Sequence, residues 1–237
     1  MTSYDDFSIV PFSIPKNEVV FAWRSTGVKT VEDLKTRELI LGGTGPGSSI
    51  VIIPTVMNNV LGTKFKIVMG YKSSNDVFLA MERGEVQARD GSYASIVAGY
   101  PSWIKEDKIV FLAQEGLKRD KALPNVPLLT ELAKTDEQRA ILKLISSPSA
   151  LGQPYLAPPG VPLDRVAVLR KAFAQTMGDK GFLADAAKSE FDIDLIGGEE
   201  LAEIVNDTVR ASPDIVAKAR AAMGSAAGEP KKTKSKS

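Results

Sequence analysis

The chain has 237 residues, 43% of them hydrophobic and 25% charged, enough apolar material for one large or two medium globular domains. It contains no cysteine and no histidine, which excludes thiol nucleophiles, disulfides, Ser-His-Asp triads and the usual zinc sites. The formal net charge is +1, and Lys231, Lys232, Lys234 and Lys236 account for more than all of it, so the body of the chain is slightly acidic and offers no basic face to nucleic acid.

Residues 1–12 include Asp5 and Asp6 and lack a basic start and a long apolar run, so no secretory signal is read there. No apolar stretch approaches the roughly 20 residues of a membrane-spanning helix. From Val19 onward short β-rich runs alternate with longer helical ones, the pattern of an α/β architecture with mainly parallel strands. Residues 19–23 are expected to form a strand. Thr30-Val31-Glu32-Asp33 has capping-box spacing and opens a short helix that ends before a strand at 38–41. A glycine-rich segment and a helix from Ile50 through Val60 follow, then a strand at 65–69 and a turn, Gly70-Tyr71-Lys72-Ser73. Ser74 is placed to cap a helix that carries Val77, Phe78 and Met81 and stops at Gly84. Residues 85–88 are the next expected strand, Asp90-Gly91-Ser92 a strand-to-helix corner, and 109–113 a further strand. Thr135 opens another helix, and the proline-rich stretch from Ser147 to Gly160 is expected to be extended and to cross between lobes. Beyond it lie a helical stripe (Val166, Leu169, Phe173, Met177), a strand at 191–196 and a second stripe (Leu201, Ile204, Val205, Val209), both stripes taken as core packing. Residues 225–237 read as a flexible, solvated, Lys-rich tail.

The segment Leu41-Gly42-Gly43-Thr44-Gly45-Pro46-Gly47-Ser48-Ser49 carries the most chemistry. Its glycines let main-chain N–H groups turn toward one point, and Ser48 or Ser49 can cap a helix whose free amides and dipole favour negative charge. A carboxylate or a phosphate suits such a loop. The spacing matches neither nucleotide motif, since no lysine follows in P-loop register and the glycines fall at Gly43, Gly45 and Gly47 instead of in a Gly-x-Gly-x-x-Gly series. The alternative is a strand-to-helix connection that binds nothing. Three such corners, this loop, the Tyr71 turn and Asp90-Gly91-Ser92, follow the carboxyl ends of expected parallel strands, where ligands gather in open α/β sheets.

The order of these parts resembles the extracytoplasmic solute-binding proteins of tripartite tricarboxylate transporters, the TctC or Bug family. The resemblance rests on Gly27-Val28-Lys29-Thr30-Val31-Glu32-Asp33-Leu34, Gly43-Thr44-Gly45-Pro46-Gly47-Ser48-Ser49, Gly70-Tyr71-Lys72, Arg83-Gly84-Glu85-Val86 and Ala157-Pro158-Pro159-Gly160-Val161-Pro162 with a helix from about Asp164. It implies a periplasmic-binding-protein-like Venus flytrap that closes on a small di- or tricarboxylate and hands it to membrane permease subunits, with no catalysis and no cofactor. On that pattern residues 1–24 supply an N-terminal segment and the first inter-lobe strand, 25–147 a nearly complete lobe, and 148–224 the return strand and the remainder of an incomplete lobe. The β-α-β-α half-lobe that opens family members has no match here, so the resemblance implies a truncated or degenerate form lacking half the cleft wall. The family is periplasmic, whereas the chain translated as given would stay in the cytoplasm.

Candidate ligand contacts are Thr44, Gly45, Gly47, Ser48 and Ser49 through amides and hydroxyls, with Tyr71, Lys72, Asp90, Gly91 and Ser92 at the neighbouring corners. Tyr71 is either a ligand platform or a structural tyrosine, Lys72 either a counter-charge or a solvated turn residue, and Asp90 either an acceptor for the ligand or a helix cap. Trp23 and Trp103 are assigned to core or hinge. Two rival functions stay open: a non-binding remnant or association module that dimerises through the incomplete lobe, and, more remotely, an α/β enzyme acting on a phosphorylated or carboxylated small molecule.

Overall fold

The computed structural model describes residues 8–10, 12–13, 18–151, 155–158, 160–188 and 196–224. Two short strands, β1 (Ser8–Val10) and β2 (Phe12–Ser13), precede β3 (Glu18–Trp23), whose continuous apolar run Val19-Val20-Phe21-Ala22 is fully buried because both faces of the sheet it joins are covered. The chain then builds β4 (Leu39–Gly42), α1 (Ser49–Val56) with a π-helical turn at Met57–Leu61, β5 (Phe65–Val68), α2 (Ser74–Glu82), β6 (Ala88–Ser92), α3 (Tyr93–Gly99), α4 (Pro101–Lys105) and β7 (Ile109–Gln114). These strands form a five-stranded sheet in the order β5-β4-β6-β3-β7. β4 runs parallel to β5 and β6, and β3 runs antiparallel to both β6 and β7.

The reversed β3 corrects the expectation of mainly parallel strands at its centre. Between β3 and β4 lie only two single-turn 3-10 helices, Arg24–Thr26 and Asp33–Lys35, and no crossover helix returns the chain to the opposite edge. The capping-box spacing seen in the sequence is real at that second turn. The Thr30 amide donates to Asp33 Oδ2 at 2.9 Å and the Asp33 amide to Thr30 Oγ1 at 3.3 Å. The amides of Lys29 and Thr30 hold the Asp33 carboxyl below its ordinary range.

Strand alternation sends Val20 and Ala22 to one face and Val19 and Phe21 to the other. On the first face they meet Ile53 and Val56 of α1, Ile141 and Leu142 of α5 (Asp136–Leu151), and Ala219 and Ala222 of a later helix, Pro213–Met223. On the second they meet Val77, Phe78 and Met81 of α2, Ile96 of α3 and Trp103 of α4. Trp103 is buried and Trp23 packs beside it, ring centres 4.4 Å apart, so both tryptophans serve the core as expected. The cap of α2 is Ser73, one residue earlier than the sequence suggested. Its hydroxyl accepts from the Asp76 amide at 3.2 Å, because the chain already turns helical at Ser74.

α5 opens as read, with the Gln138 amide donating to Thr135 Oγ1 at 3.1 Å. It then runs through Pro148, where extended chain was expected. The proline forfeits a single N–H bond, and the buried Ile141, Leu142 and Ala150 hold the helix on both sides of it. Extended structure begins only at β8 (Tyr155–Ala157), paired antiparallel with β1. After it come α6 (Leu163–Met177), α7 (Lys180–Lys188), β9 (Ile196–Gly197), paired antiparallel with β2, α8 (Gly198–Val209) and α9 (Pro213–Met223). Most of the strand expected at 191–196 lies outside the described residues, as does the tail beyond 224.

Two compact units result, residues 1–16 with 147–211 and residues 17–146 with 212–237. The stretch expected to hold 148–224 together is thus divided, with α9 joining the sheet-bearing unit. In the other unit the α6 stripe packs only in part. Val166 is buried against Ala157 and Val161, Phe173 and Met177 are half-buried and Leu169 is 48% exposed, while Leu163 and Val168, which lie outside the stripe, are 79% and 67% exposed. No helix among the described residues is long and apolar enough to cross a membrane.

Candidate functional site

The carboxyl ends of β4, β5, β6 and β7 and the amino end of β3 share one edge of the sheet. At the exit of β4, Gly42 and Gly43 let the strand approach its neighbours closely. A Cβ on Gly42 would stand 2.7 Å from Val77 Cγ1, and one on Gly43 2.6 Å from Val51 Cγ2. The loop beyond is tied down from within. Thr44 Oγ1 donates to Ser48 Oγ at 3.0 Å, and Ser48 Oγ donates to the Gly45 carbonyl at 2.8 Å. Gly47 turns the chain with φ +87°, a conformation that a side chain would strain. Ser48 therefore occupies the N-cap position of α1 without capping it by its side chain, because its hydroxyl is spent on the loop.

One property of this loop bears on anions. Among the described residues, the main-chain amides of Thr44, Gly45, Gly47, Ser49 and Ile50 donate to no protein acceptor. Ser49 and Ile50 open α1, where unsatisfied N–H groups and the helix dipole are expected. Thr44 and Gly45 are half-buried, Gly47 and Ser49 exposed, and the space beside Gly45 and Gly47 is open. Such a set of fixed donors receives a carboxylate or phosphate without paying to reorganise.

The β5 exit is joined to the same loop. The Gly70 amide donates to the Thr44 carbonyl at 2.8 Å and the Tyr71 amide to the Gly43 carbonyl at 3.4 Å. The Tyr71 ring packs with Val77 and Val86 in the second core, and its hydroxyl donates to Glu85 Oε2 at 3.4 Å. Partial burial and then the Glu85 charge push its phenol above the ordinary value. Lys72, next in the chain, is exposed and forms no ion pair among the described residues.

The third corner is displaced from its expected place. Asp90 and Gly91 are strand residues, paired with Val20 and Val19 and buried, and α3 begins only at Tyr93. Ser92 holds the N-cap position, half-buried, with no side-chain cap bond. Asp90 therefore does not cap α3. β6 extends to Ser92 because the partner β3 continues to Glu18, keeping ladder bonds available where the sequence suggested a turn. The structure thus brings Thr44, Gly45, Gly47, Ser48, Ser49 and Tyr71 together, sets Lys72 and Ser92 on the same edge, and draws Asp90 and Gly91 inward.

Two groups escaped the sequence reading. Arg89 is buried, with Nε donating to the Asp90 carbonyl at 3.0 Å, Nη1 to the Ser74 carbonyl at 2.9 Å, and its guanidinium 3.7 Å from the centre of the Phe78 ring. Desolvation pulls its pKa down to about 10, so it remains cationic at neutral pH. Glu115 is buried just past β7, its amide donating to the Glu18 carbonyl at 3.0 Å. The signal that could have found Arg89 is its place directly between the strand-like run 85–88 and Asp90. No group of acidic side chains suited to a metal ion occurs among the described residues.

No protein-family model and no curated protein sequence matches the chain. Solved structures do. A TctC solute binding protein from Polaromonas, without ligand, matches with a TM-score of 0.66 at 19% identity, over 92% of this chain and 71% of that one. An R. palustris protein solved with adipate matches at 0.56 and 18% identity, over 92% and 69% of the two chains. The periplasmic binding protein BugD matches at 0.55 and 16%, over 91% and 69%. The chain has this periplasmic-binding-protein-like α/β fold, and about 30% of each neighbour has no counterpart in it.

Proposed function

We propose that this chain is a solute-binding protein of the TctC or Bug kind that holds a small organic dicarboxylate or tricarboxylate and carries out no bond-making chemistry. The observation that carries the proposal is the set of amides at Thr44, Gly45, Gly47, Ser49 and Ile50 that meet no acceptor among the described residues, fixed by the internal bonds of the loop at the exit of β4. Amide donors to a charged acceptor form the stronger class of hydrogen bond, and here the α1 dipole adds to them. Lys72 supplies positive charge at the rim, and Ser92 a hydroxyl on the same edge. The fold supports the reading too, since neighbours of this fold are solute-binding proteins by name and one was solved with adipate. Delivery to membrane permease subunits in the periplasm belongs to the same proposal.

Isothermal calorimetry of the full chain with adipate and a panel of other di- and tricarboxylates tests it. Saturable heat with at least one dicarboxylate is expected. Absence of heat across the panel from folded protein would reject carboxylate binding and leave the association module as the better reading.

A further inference from the structure

β3 stands between β6 and β7 and sets their side chains in register. Asp90 lies opposite Val20, and Val20 lies opposite Ala113 on the other side. The ladder continues one residue past β7, where the Glu115 amide donates to the Glu18 carbonyl. Alternation therefore places Asp90, Val20, Ala113 and Glu115 on one face, that of α1, and sends Arg89 and Gln114 to the other.

Both acidic side chains on that face are shut from water, Asp90 with 0% and Glu115 with 2% of its surface exposed. Among the described residues, neither carboxyl oxygen of Asp90 meets a donor at hydrogen-bonding geometry. Arg89 does not compensate it at close range, because its donors serve main-chain carbonyls and its guanidinium lies over Phe78 on the opposite face. α1 and β4, which flank the site, contain no titratable residue. The remaining nearby charge on β3 is Glu18, of the same sign. Among the other helices of that core, Asp136, Glu137, Arg139 and Lys143 of α5 and Asp214 and Arg220 of α9 are exposed, and Lys218 is tied to Glu137 and Asp214.

An ionised carboxylate only accepts hydrogen bonds, so two of them facing each other repel and satisfy nothing. One proton between them turns one into a donor and removes one buried charge. We propose that Asp90 and Glu115 share a single proton in the folded chain, making a proton-binding site at the exit of β6. The pair then titrates as a unit. Burial raises the Asp90 carboxyl above its ordinary value, with the Glu115 contact, the Arg89 charge and the Gly91 amide opposing in smaller measure.

The sign of the effect follows from linkage. In the unfolded chain both acids ionise near pH 4, whereas the folded chain keeps one proton to higher pH. Unfolding therefore releases a proton between those two values, and stability falls as pH rises through that window. Asp90→Asn removes the titration while keeping the shape. Relative to D90N, the unfolded-to-folded ratio of the wild type should grow by up to about tenfold per pH unit between pH 4 and the folded value. A wild-type to D90N difference that does not change with pH would overturn the proposal. Infrared spectroscopy of the unmodified chain gives a second readout that needs no variant. Above pH 4, where the unfolded chain has begun to ionise both acids, the folded protein should show one protonated-carboxyl C=O band that vanishes on unfolding, and its absence throughout that range would equally overturn the proposal. Glu115→Gln, which offers Asp90 an amide donor in place of the shared proton, should remove the same band.

Discussion

The glycines of the loop after β4 look alike in the sequence and do different things in the structure. Gly42 and Gly43 are packing residues, whose added Cβ atoms would strike Val77 and Val51. Gly47 serves a positive φ, and Gly45 has neither constraint. That difference yields a clean substitution. Gly45→Asp places a carboxylate where the anion is proposed to sit, in open space, so stability should stay within about 0.5 kcal/mol of the parent. Adipate affinity should fall about tenfold or more from like-charge repulsion. Thermal melts and calorimetry on the same sample check both, and unchanged affinity would move the site elsewhere. At this scale the sequence was a good guide to the loop, because glycine and serine spacing carries local conformation directly. It was a poor guide to Asp90. A short Asp-Gly-Ser run reads as a turn, and only the pairing of β6 with a β3 some 70 residues away, through Val20 opposite Asp90, extends it as strand.

Elements were legible where the apolar pattern was strong, as in α2, β3 and β7. The misreadings came from tertiary context. Pro148 was read as a break, yet α5 continues because buried residues on both sides of the proline outweigh one lost hydrogen bond. The spacing of the α6 stripe predicts core, and of its four residues Val166 is buried, Phe173 and Met177 are half-buried and Leu169 is exposed. Leu163 and Val168, outside the stripe, are exposed as well, as are Phe182 and Leu183 of α7. Periodicity says that a face is apolar and not what lies against it. This many exposed apolar side chains on two successive helices favour self-association. Sedimentation velocity across a concentration series should show reversible dimers or larger species, and Leu169→Lys with Val168→Lys should shift the population to monomer. A strictly monomeric wild type at high concentration would contradict this.

For the molecule as a whole, the alternation of strands and helices was enough to give the α/β class, and the order of motifs gave the periplasmic-binding-protein-like fold that the solved neighbours share. The division into units was harder to read, since α9 returns to the sheet-bearing unit through Ala219 and Ala222, alanines with no distinctive signature. Within that unit four strands present their carboxyl ends, and β3 its amino end, to one edge, and the loop whose amides meet no acceptor among the described residues lies there. The account's central claim is that this loop holds a small carboxylate. Amide-resolved NMR of the chain titrated with adipate tests it most directly. The claim predicts that the amide signals of Thr44, Gly45, Gly47, Ser49 and Ile50 move together along one saturable curve, while those of α6 stay fixed. Signals at these five positions that stay fixed at saturating adipate, or saturable changes confined to other residues, would contradict it.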